Sequence, residues 1–344
     1  MTTIAIVSPG FMGAGLGSAL RAGGARVVAT VEGRSARTRR LAERAGLELL
    51  PTLDDVVAAA DVILSVTPPA DALAAARAIA ASVARTARVE PATQPGRVGP
   101  ATQTEPAGPV VADLNAVSPA TMTRIAEALD GLRLVDGSIS GPPPTAAPGA
   151  RVYLSGPDAG IVAALPWAGL VEPVVLGDRI GSASALKMCT GSVYKGLTAL
   201  VTQAMRTAGA YGVLEGVVAD LERNGLAQTA GVARSATKAR RFVDEMREVA
   251  ATQASAGLTP DLFAAIAAVY EDISGTRLAH GDPEAARAVT AGEIVRLLGE
   301  EGTEGEVGTE SEGRTTSMSY LGPLDDEISG APCPPTTGPS AGRR

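Results

Sequence analysis

Apolar and polar positions along the chain follow two different periods, and the change between them divides it. Ile4–Val7 is a short β-branched run that ends in a tight turn, after which Met12, Leu16 and Leu20 recur at four-residue spacing, the mark of an amphipathic helix. Gly23-Gly24 stops that helix. Arg26–Val31 then reads as a second strand, Ala36–Ala45 as a helix, Leu49–Pro51 as a short third strand and Leu53–Ala60 as a helix. The unbroken apolar run Asp61–Val66 is the pattern of a parallel strand covered on both faces. Thr67-Pro68-Pro69 ends it, and Ala70–Ala87 is an alanine-rich helix. Residues about 90–109, with Pro91, Pro95, Pro100 and Pro106, read as an irregular insertion on the surface. Val110–Asn115 resumes the sheet, and Ser118 is the expected cap of a helix with Pro119 in its first turn. Leu132–Asp136 reads as a strand, Gly137–Pro144 as a rigid loop, and Val152–Ser155 and Glu172–Leu176 as the last strands. From Gly181 onward no strand pattern remains. Residues 182–298 carry helical periodicity, broken at Gly225, Gly257–Pro260 and Gly281–Pro283.

This order predicts an α/β fold: a Rossmann-type doubly wound sheet over 1–180, an all-helical second domain over 181–299 and a tail over 300–344. Strand, glycine turn and helix together aim free backbone N–H groups at a phosphate. In Ser8-Pro9-Gly10-Phe11-Met12-Gly13 the two glycines stand where the second and third of G-x-G-x-x-G belong, the one for close backbone approach to a pyrophosphate and the other for helix-on-strand packing. Ser8 replaces the first. After the second strand, Glu32 would accept from a free ribose hydroxyl, as NAD requires, whereas Arg34 and Ser35 suit a 2′-phosphate. NADP is the favoured cofactor and NAD the alternative, with the plain reading that these arginines only solvate the next helix. Thr67 and Pro68, at the carboxyl end of a strand, should border the cofactor.

Composition narrows the class. The chain has 344 residues, 45% hydrophobic, 19% charged and only 3% aromatic, so alanine-rich elements must approach one another closely. No apolar run spans a bilayer, and the first residues read as strand rather than as a secretory leader, so no membrane association is expected. Of the net charge of −7, most sits beyond residue 300, in a Gly, Glu, Thr, Ser and Pro-rich segment that reads as an acidic disordered tail. The remainder is near neutral, which argues against nucleic acid as a partner. Cys189 and Cys333 are distant in sequence, without disulfide or metal-ligand spacing, so a reducing cytoplasm is the expected setting and no metal site is expected. The single His280 has no second histidine to pair with on a metal.

Four stretches together resemble the β-hydroxyacid dehydrogenases, which include 6-phosphogluconate and 3-hydroxyisobutyrate dehydrogenases. Ser8–Gly13 resembles their cofactor turn, Arg34-Ser35 the residues after their second strand, Asp136-Gly137-Ser138-Ile139-Ser140-Gly141 their substrate loop, and Gly181–Lys187 their G-x-G-x-x-x-K helix start, with Ala183 for the second glycine. Lys187-Met188-Cys189, Lys195-Gly196 and Arg241–Met246 with Gly257-Leu258 downstream are most similar to a poorly characterised phosphogluconate-dehydrogenase-like branch. The resemblance implies an NAD(P)-dependent oxidoreductase, a small-molecule substrate, and a homodimer joined through the helical domain.

The resemblance also implies roles. Lys187 matches the lysine that serves as general acid/base, chemistry that a lysine can perform when burial brings its pKa toward working pH. The plain alternative is a lysine reaching past the helix to water. Ser140 and Gly141 are candidates for holding a substrate carboxylate or hydroxyl, and Asn115 for contacting the nicotinamide end. The family asparagine four residues past the lysine is here Gly191. Tyr194, seven residues on and nearly two turns along, should share the face of Lys187, as a replacement proton donor or as an ordinary interface tyrosine. Cys189 falls on another face and reads as a small buried hydrophobe. The expected activity is hydride transfer between NADP(H) and a hydroxy-acid-like alcohol or its carbonyl partner. Imine reduction, and a non-catalytic NADP-binding sensor, are the alternatives.

Overall fold

The computed structural model describes residues 1–87, 108–145, 148–226, 229–280 and 289–302. Most of the expected insertion and nearly all of the expected acidic tail lie outside the described residues. Met1–Gly305 form one compact unit.

The first half alternates strand and helix: β1 (Thr3–Val7), α1 (Phe11–Ala22), β2 (Arg26–Ala29), α2 (Ala36–Arg44), β3 (Glu48–Leu49), α3 (Leu53–Ala59), β4 (Val62–Ser65), α4 (Ala72–Thr86), β5 (Val110–Asp113), α5 (Pro119–Ala128) and β6 (Arg133–Ser140). The sheet continues through β7 (Ala150–Ser155), a short α6 (Ala159–Ala163) that the apolar pattern did not signal, and β8 (Val171–Val175). Its strand order is β3-β2-β1-β4-β5-β6-β7-β8, parallel except where β7 runs antiparallel to β6. This is the doubly wound order with its reversal between β1 and β4, and ligands bind outside the carboxyl ends of strands at such a point.

Strand periodicity explains how the sheet is covered. Ile4, Ile6, Val62, Leu64, Val110 and Ala112 join one apolar cluster, whereas Ala5, Val7, Ile63 and Val111 join another. Helices close both faces, and each large apolar side chain so buried contributes about 1.5–3 kcal/mol. Capping fixes the helix starts: Thr52 and Asp55 form a reciprocal capping box on α3, and the Ser118 hydroxyl accepts from Thr121 N at 3.1 Å on α5.

One expectation is corrected. Gly137–Ser140 are not loop but the second half of β6, because β7 pairs with the whole of Asp136–Ser140 in the register Asp136↔Ser155 to Ser140↔Arg151. Small residues in that stretch mark a strand approached closely on both sides, not a turn. A Cβ on Gly137 would lie 2.3 Å from Leu114 Cδ2.

The second half is helical: α7 (Ser182–Ala210), α8 (Leu214–Arg223), α9 (Thr229–Ala236), α10 (Ala239–Ser255), α11 (Asp261–Ser274) and α12 (Ala291–Leu298). These helices bury their own cluster, which includes Met188, Met205, Phe242, Met246 and Tyr270. Glu248 of α10 ties the halves together, accepting Ser118 N at 2.7 Å and the Thr121 hydroxyl at 3.1 Å. Among the described residues no helix is long and apolar enough to cross a membrane.

Candidate active site

The turn after β1 keeps a glycine-like backbone without the glycine. Ser8 sits at φ +68°, a left-handed conformation that costs a non-glycine residue about 1–2 kcal/mol, and its carbonyl accepts Gly10 N at 2.8 Å. Gly13 is needed for close packing, since a Cβ there would lie 2.6 Å from Ser8 O and 3.1 Å from Ile6 Cγ2. Gly10 is different: a Cβ there would meet no described atom within 4 Å, and no side chain caps the start of α1. Its open flank and the uncapped N–H groups of the first turn form an anion-receptive face. Pro9 is buried beneath the turn, Met12 is half-buried and Phe11 is exposed at the rim. Beside it lies a crevice of about 170 Å³, lined by Ser8, Thr30, Glu32 and Arg34 and by Val56 and Ala75. Glu32 and Arg34 are thus brought together with the glycine turn, whereas the Ser35 hydroxyl caps α2, accepting from Thr38 N at 3.2 Å.

At the ends of β4 and β5, Asn115 serves the scaffold. Its Oδ1 accepts Thr67 N at 2.6 Å, and its Nδ2 donates to Asp113 Oδ2 at 2.8 Å and Ser65 Oγ at 3.2 Å. The clamp holds the turn at Thr67-Pro68, where Pro68 is exposed and Thr67 Oγ1 is buried without any hydrogen-bond partner. A buried hydroxyl without a partner forfeits about 1–3 kcal/mol, a cost removed when a ligand reaches it. Asp113 is pushed up to about 7 by burial, against the hydrogen bonds from Asn115 that favour its charge.

Asp136 roots the lysine-bearing helix in the sheet. Its carboxylate accepts the backbone N–H groups of Gly181, Ala183 and Ser184 at 2.8, 3.0 and 3.2 Å and the hydroxyls of Ser155 and Ser184 at 2.9 and 2.7 Å. Gly181 takes φ +96° to turn the chain into α7. One turn into that helix, Lys187 Nζ donates to the carbonyl of Ile139 at 2.6 Å, beside half-buried Ser140 and exposed Gly141. Gly141 is constrained, with φ +101° and a Cβ position 2.4 Å from Gly149 O. Burial, then repulsion by Lys195, lowers Lys187 to about 8, with Glu245 opposing and Arg241 adding to the fall.

The remaining members of this cluster carry no role in the sequence reading. Lys195 forms a salt bridge with Glu245 Oε2, and Arg241 Nε donates to Glu245 Oε1 at 3.1 Å. Burial raises the Glu245 carboxyl, but Lys195 and Arg241 outweigh it and hold it below its ordinary value. Their signal in the sequence was two i,i+4 spacings, Gly191–Lys195 on α7 and Arg241–Glu245 on α10. Tyr194 is 65% exposed and is not joined to the cluster, because Lys195 is the residue that turns toward Glu245. Cys189 is exposed, not buried as expected, since it lies on the side of α7 away from Lys187. His280 binds Thr276 O at 3.0 Å, apart from these residues. Among the described residues no group of three His, Cys, Asp or Glu is placed to hold a metal.

Known proteins can now be set beside this geometry. Residues 3–89 match the family model described as NADP oxidoreductase, coenzyme F420-dependent, and residues 208–273 match a domain of unknown function, DUF1932. The solved structure of MTH1747, a conserved protein of unknown function described as structurally similar to 3-hydroxyacid dehydrogenases, is 27% identical; the match covers 79% of this chain and 96% of that one, with a TM-score of 0.56. Both halves of the chain are thus similar to the β-hydroxyacid dehydrogenase superfamily. The 3-hydroxyisobutyrate dehydrogenase of Salmonella typhimurium, 15% identical, shares the superfamily fold over 86% of this chain and 100% of that one, with a TM-score of 0.61. An uncharacterized 28.5 kDa protein of Methanothermus fervidus is 26% identical over 192 residues, 56% of this chain and 65% of that protein. The match therefore spans just under two thirds of that protein's length.

Proposed function

We propose that the protein is a nicotinamide-dependent oxidoreductase, preferring NADP, that acts on a small hydroxy-acid-like alcohol or its carbonyl partner, with Lys187 as general acid/base. The observation that carries this reading is the partly buried Lys187 ammonium, fixed on the Ile139 carbonyl beside Ser140 and held near pKa 8. An amine with that pKa exists in both protonation states near neutrality, as an acid/base group requires.

The chain's own groups fit a dinucleotide. The open flank of Gly10, the uncapped start of α1, the crevice with Glu32 and Arg34, and the unpartnered Thr67 Oγ1 each offer polar groups to such a ligand. Pro9 to Gly13 would hold the diphosphate, Arg34 and Ser35 a 2′-phosphate, and Thr67-Pro68 the inner portion, with Asn115 keeping that turn in place. The chemistry such a dinucleotide supplies is hydride exchange. Lys187 takes the hydroxyl proton as an alcohol is oxidised and returns it to the carbonyl oxygen in reduction. Ser140 and the Gly141 N–H would orient the substrate's carboxylate or hydroxyl. Retention of a lysine here favours alcohol and carbonyl chemistry over imine reduction.

Val193, Leu200, Tyr211 and Val213, exposed on and just beyond α7, support association of two copies through the helical half. The exposed, unpaired Cys189 thiol suits a reducing, cytoplasmic setting. The deciding experiment is oxidation of a panel of hydroxy acids with NADP⁺ and with NAD⁺ by wild type and Lys187→Ala. Turnover that vanishes in the variant supports the reading; equal turnover by both rejects the role of Lys187.

A further inference from the structure

Gly191 lies one turn past Lys187, and Lys195 one turn further on the same stripe of α7. The Lys195 ammonium fills the space that residue 191 leaves: a Cβ on the buried Gly191 would be 3.8 Å from its Nζ. That seat is built. Lys195 pairs with Glu245, whose side chain is 6% exposed, its Nζ lies 5.0 Å from the centre of the Phe242 ring, and its main-chain carbonyl accepts the Tyr270 hydroxyl at 2.8 Å. A buried ion pair is a weak source of stability, because desolvation of both charges cancels much of their attraction. Its retention in an otherwise apolar helix packing calls for a different account.

The charged groups around Lys187 provide one. On its own helix the facing charge is Lys195; α10 presents Arg241 and Glu245, with Lys238 a turn earlier beside Arg241; α11 presents only the Tyr270 phenol. On the sheet side, Asp136 is committed to the start of α7, Asp113 is buried with Asn115, and β6 offers Lys187 only the Ile139 carbonyl. Glu245 would draw a proton onto Lys187, but both of its oxygens are engaged, one by Lys195 and the other by Arg241.

We propose that Lys195 is a positioning residue for the chemistry at Lys187: seated by Glu245 above Gly191, its fixed positive charge holds the neighbouring amine ready to release its proton. A side chain longer than alanine at 191 would contend for that seat, so the glycine and the second lysine form one device. The inference rests on the reading of Lys187 as the proton-transfer group. Its test therefore reads Lys187 without requiring turnover: competitive labelling of the intact protein with trace acetic anhydride across pH, with the Lys187 peptide followed by mass spectrometry. Lys195→Gln, which keeps a donor for Glu245 and removes the charge, should move the Lys187 midpoint up by about one pH unit. Lys195→Met should move it in the same direction, and Lys195→Arg should hold it within about 0.3 unit of wild type. An unmoved or lowered midpoint in folded Lys195→Gln and Lys195→Met overturns the proposal, even if their melting temperatures fall, since a packing role would lower stability alone. Full turnover by Lys187→Ala would reject the acid/base reading and leave the labelling result standing.

Discussion

Ser184 gives both its backbone N–H and its hydroxyl to Asp136, at 3.2 and 2.7 Å, and so binds the first turn of α7 to the middle of β6. Lys187 follows within a turn, so the carboxylate that roots the helix also sets where the ammonium falls. Charge at a helix N-terminus adds to the hydrogen bonds themselves. Asp136→Asn keeps the shape but removes the charge and turns one acceptor into a donor facing N–H groups. The expected loss is about 2–4 kcal/mol, seen as a lower denaturant midpoint with unchanged slope. A loss under about 0.5 kcal/mol would show that the junction is held by packing alone.

The proton inventory of Lys187 fixes the sign of the pH dependence. With its pKa near 8, the neutral amine needed to accept a hydroxyl proton becomes more abundant as pH rises. kcat/KM for alcohol oxidation should climb about tenfold per pH unit below that value and level off above it. In the reductive direction, which needs the ammonium, it should fall above it. Lys187→Ala should lose both limbs, and a profile with the same limbs in the variant assigns them to another group.

Ser8 supports a prediction with two arms. Ser8→Gly keeps the turn and removes the left-handed strain at φ +68°, so the protein should gain about 1 kcal/mol while nucleotide affinity holds. Gly13→Ala forces a methyl within 2.6 Å of Ser8 O, a backbone atom that can move only by opening the turn. Stability and NADPH binding should fall together in that variant. Calorimetry with nucleotide titration checks both arms; a destabilised Ser8→Gly would mean that the serine hydroxyl has a structural partner.

The parts of this molecule legible in the sequence are those set by local period and local chemistry. Ile4–Val7 and Asp61–Val66 announced buried parallel strands, Ser118-Pro119 announced a cap, and Gly181 announced the turn into α7. Ser138 and Ser140 resembled loop chemistry because strand pairing with β7 is a long-range fact, and small polar residues in a covered strand look like a turn. Lys195 and Glu245 were missed for a related reason. They are 50 residues apart, and only the packing of α10 on α7 brings them together. Tyr194, by contrast, satisfied the spacing argument, yet spacing alone does not say which of two adjacent residues meets the neighbouring helix.

Arg34 provides the cofactor test. It lines the crevice beside Glu32, where a guanidinium can take a phosphate through two parallel hydrogen bonds. Arg34→Ala should weaken NADPH about 10–100-fold, corresponding to about 1.5–3 kcal/mol for hydrogen bonds to a charged group, and leave NADH within a factor of two. Fluorescence titration of wild type and variant reads both constants. Equal losses for the two nucleotides would place Arg34 on a feature they share.

Asp113 makes a separate stability prediction. Its folded pKa of about 7 lies above the ordinary 3.8 because the carboxyl is buried. Between those values the native state holds a proton that the unfolded chain has released, so stability is lost as pH rises through the window and the cost is complete above pH 7. Asparagine reproduces the protonated carboxyl, with one donor and one acceptor, and cannot ionise. Asp113→Asn should therefore melt close to wild type below about pH 4 and above it near pH 8, by on the order of 5 °C. Thermal denaturation at the two pH values measures the difference. A gap that stays constant would mean that Asp113 is ionised throughout, held so by the two hydrogen bonds from Asn115 at 2.8 and 3.1 Å.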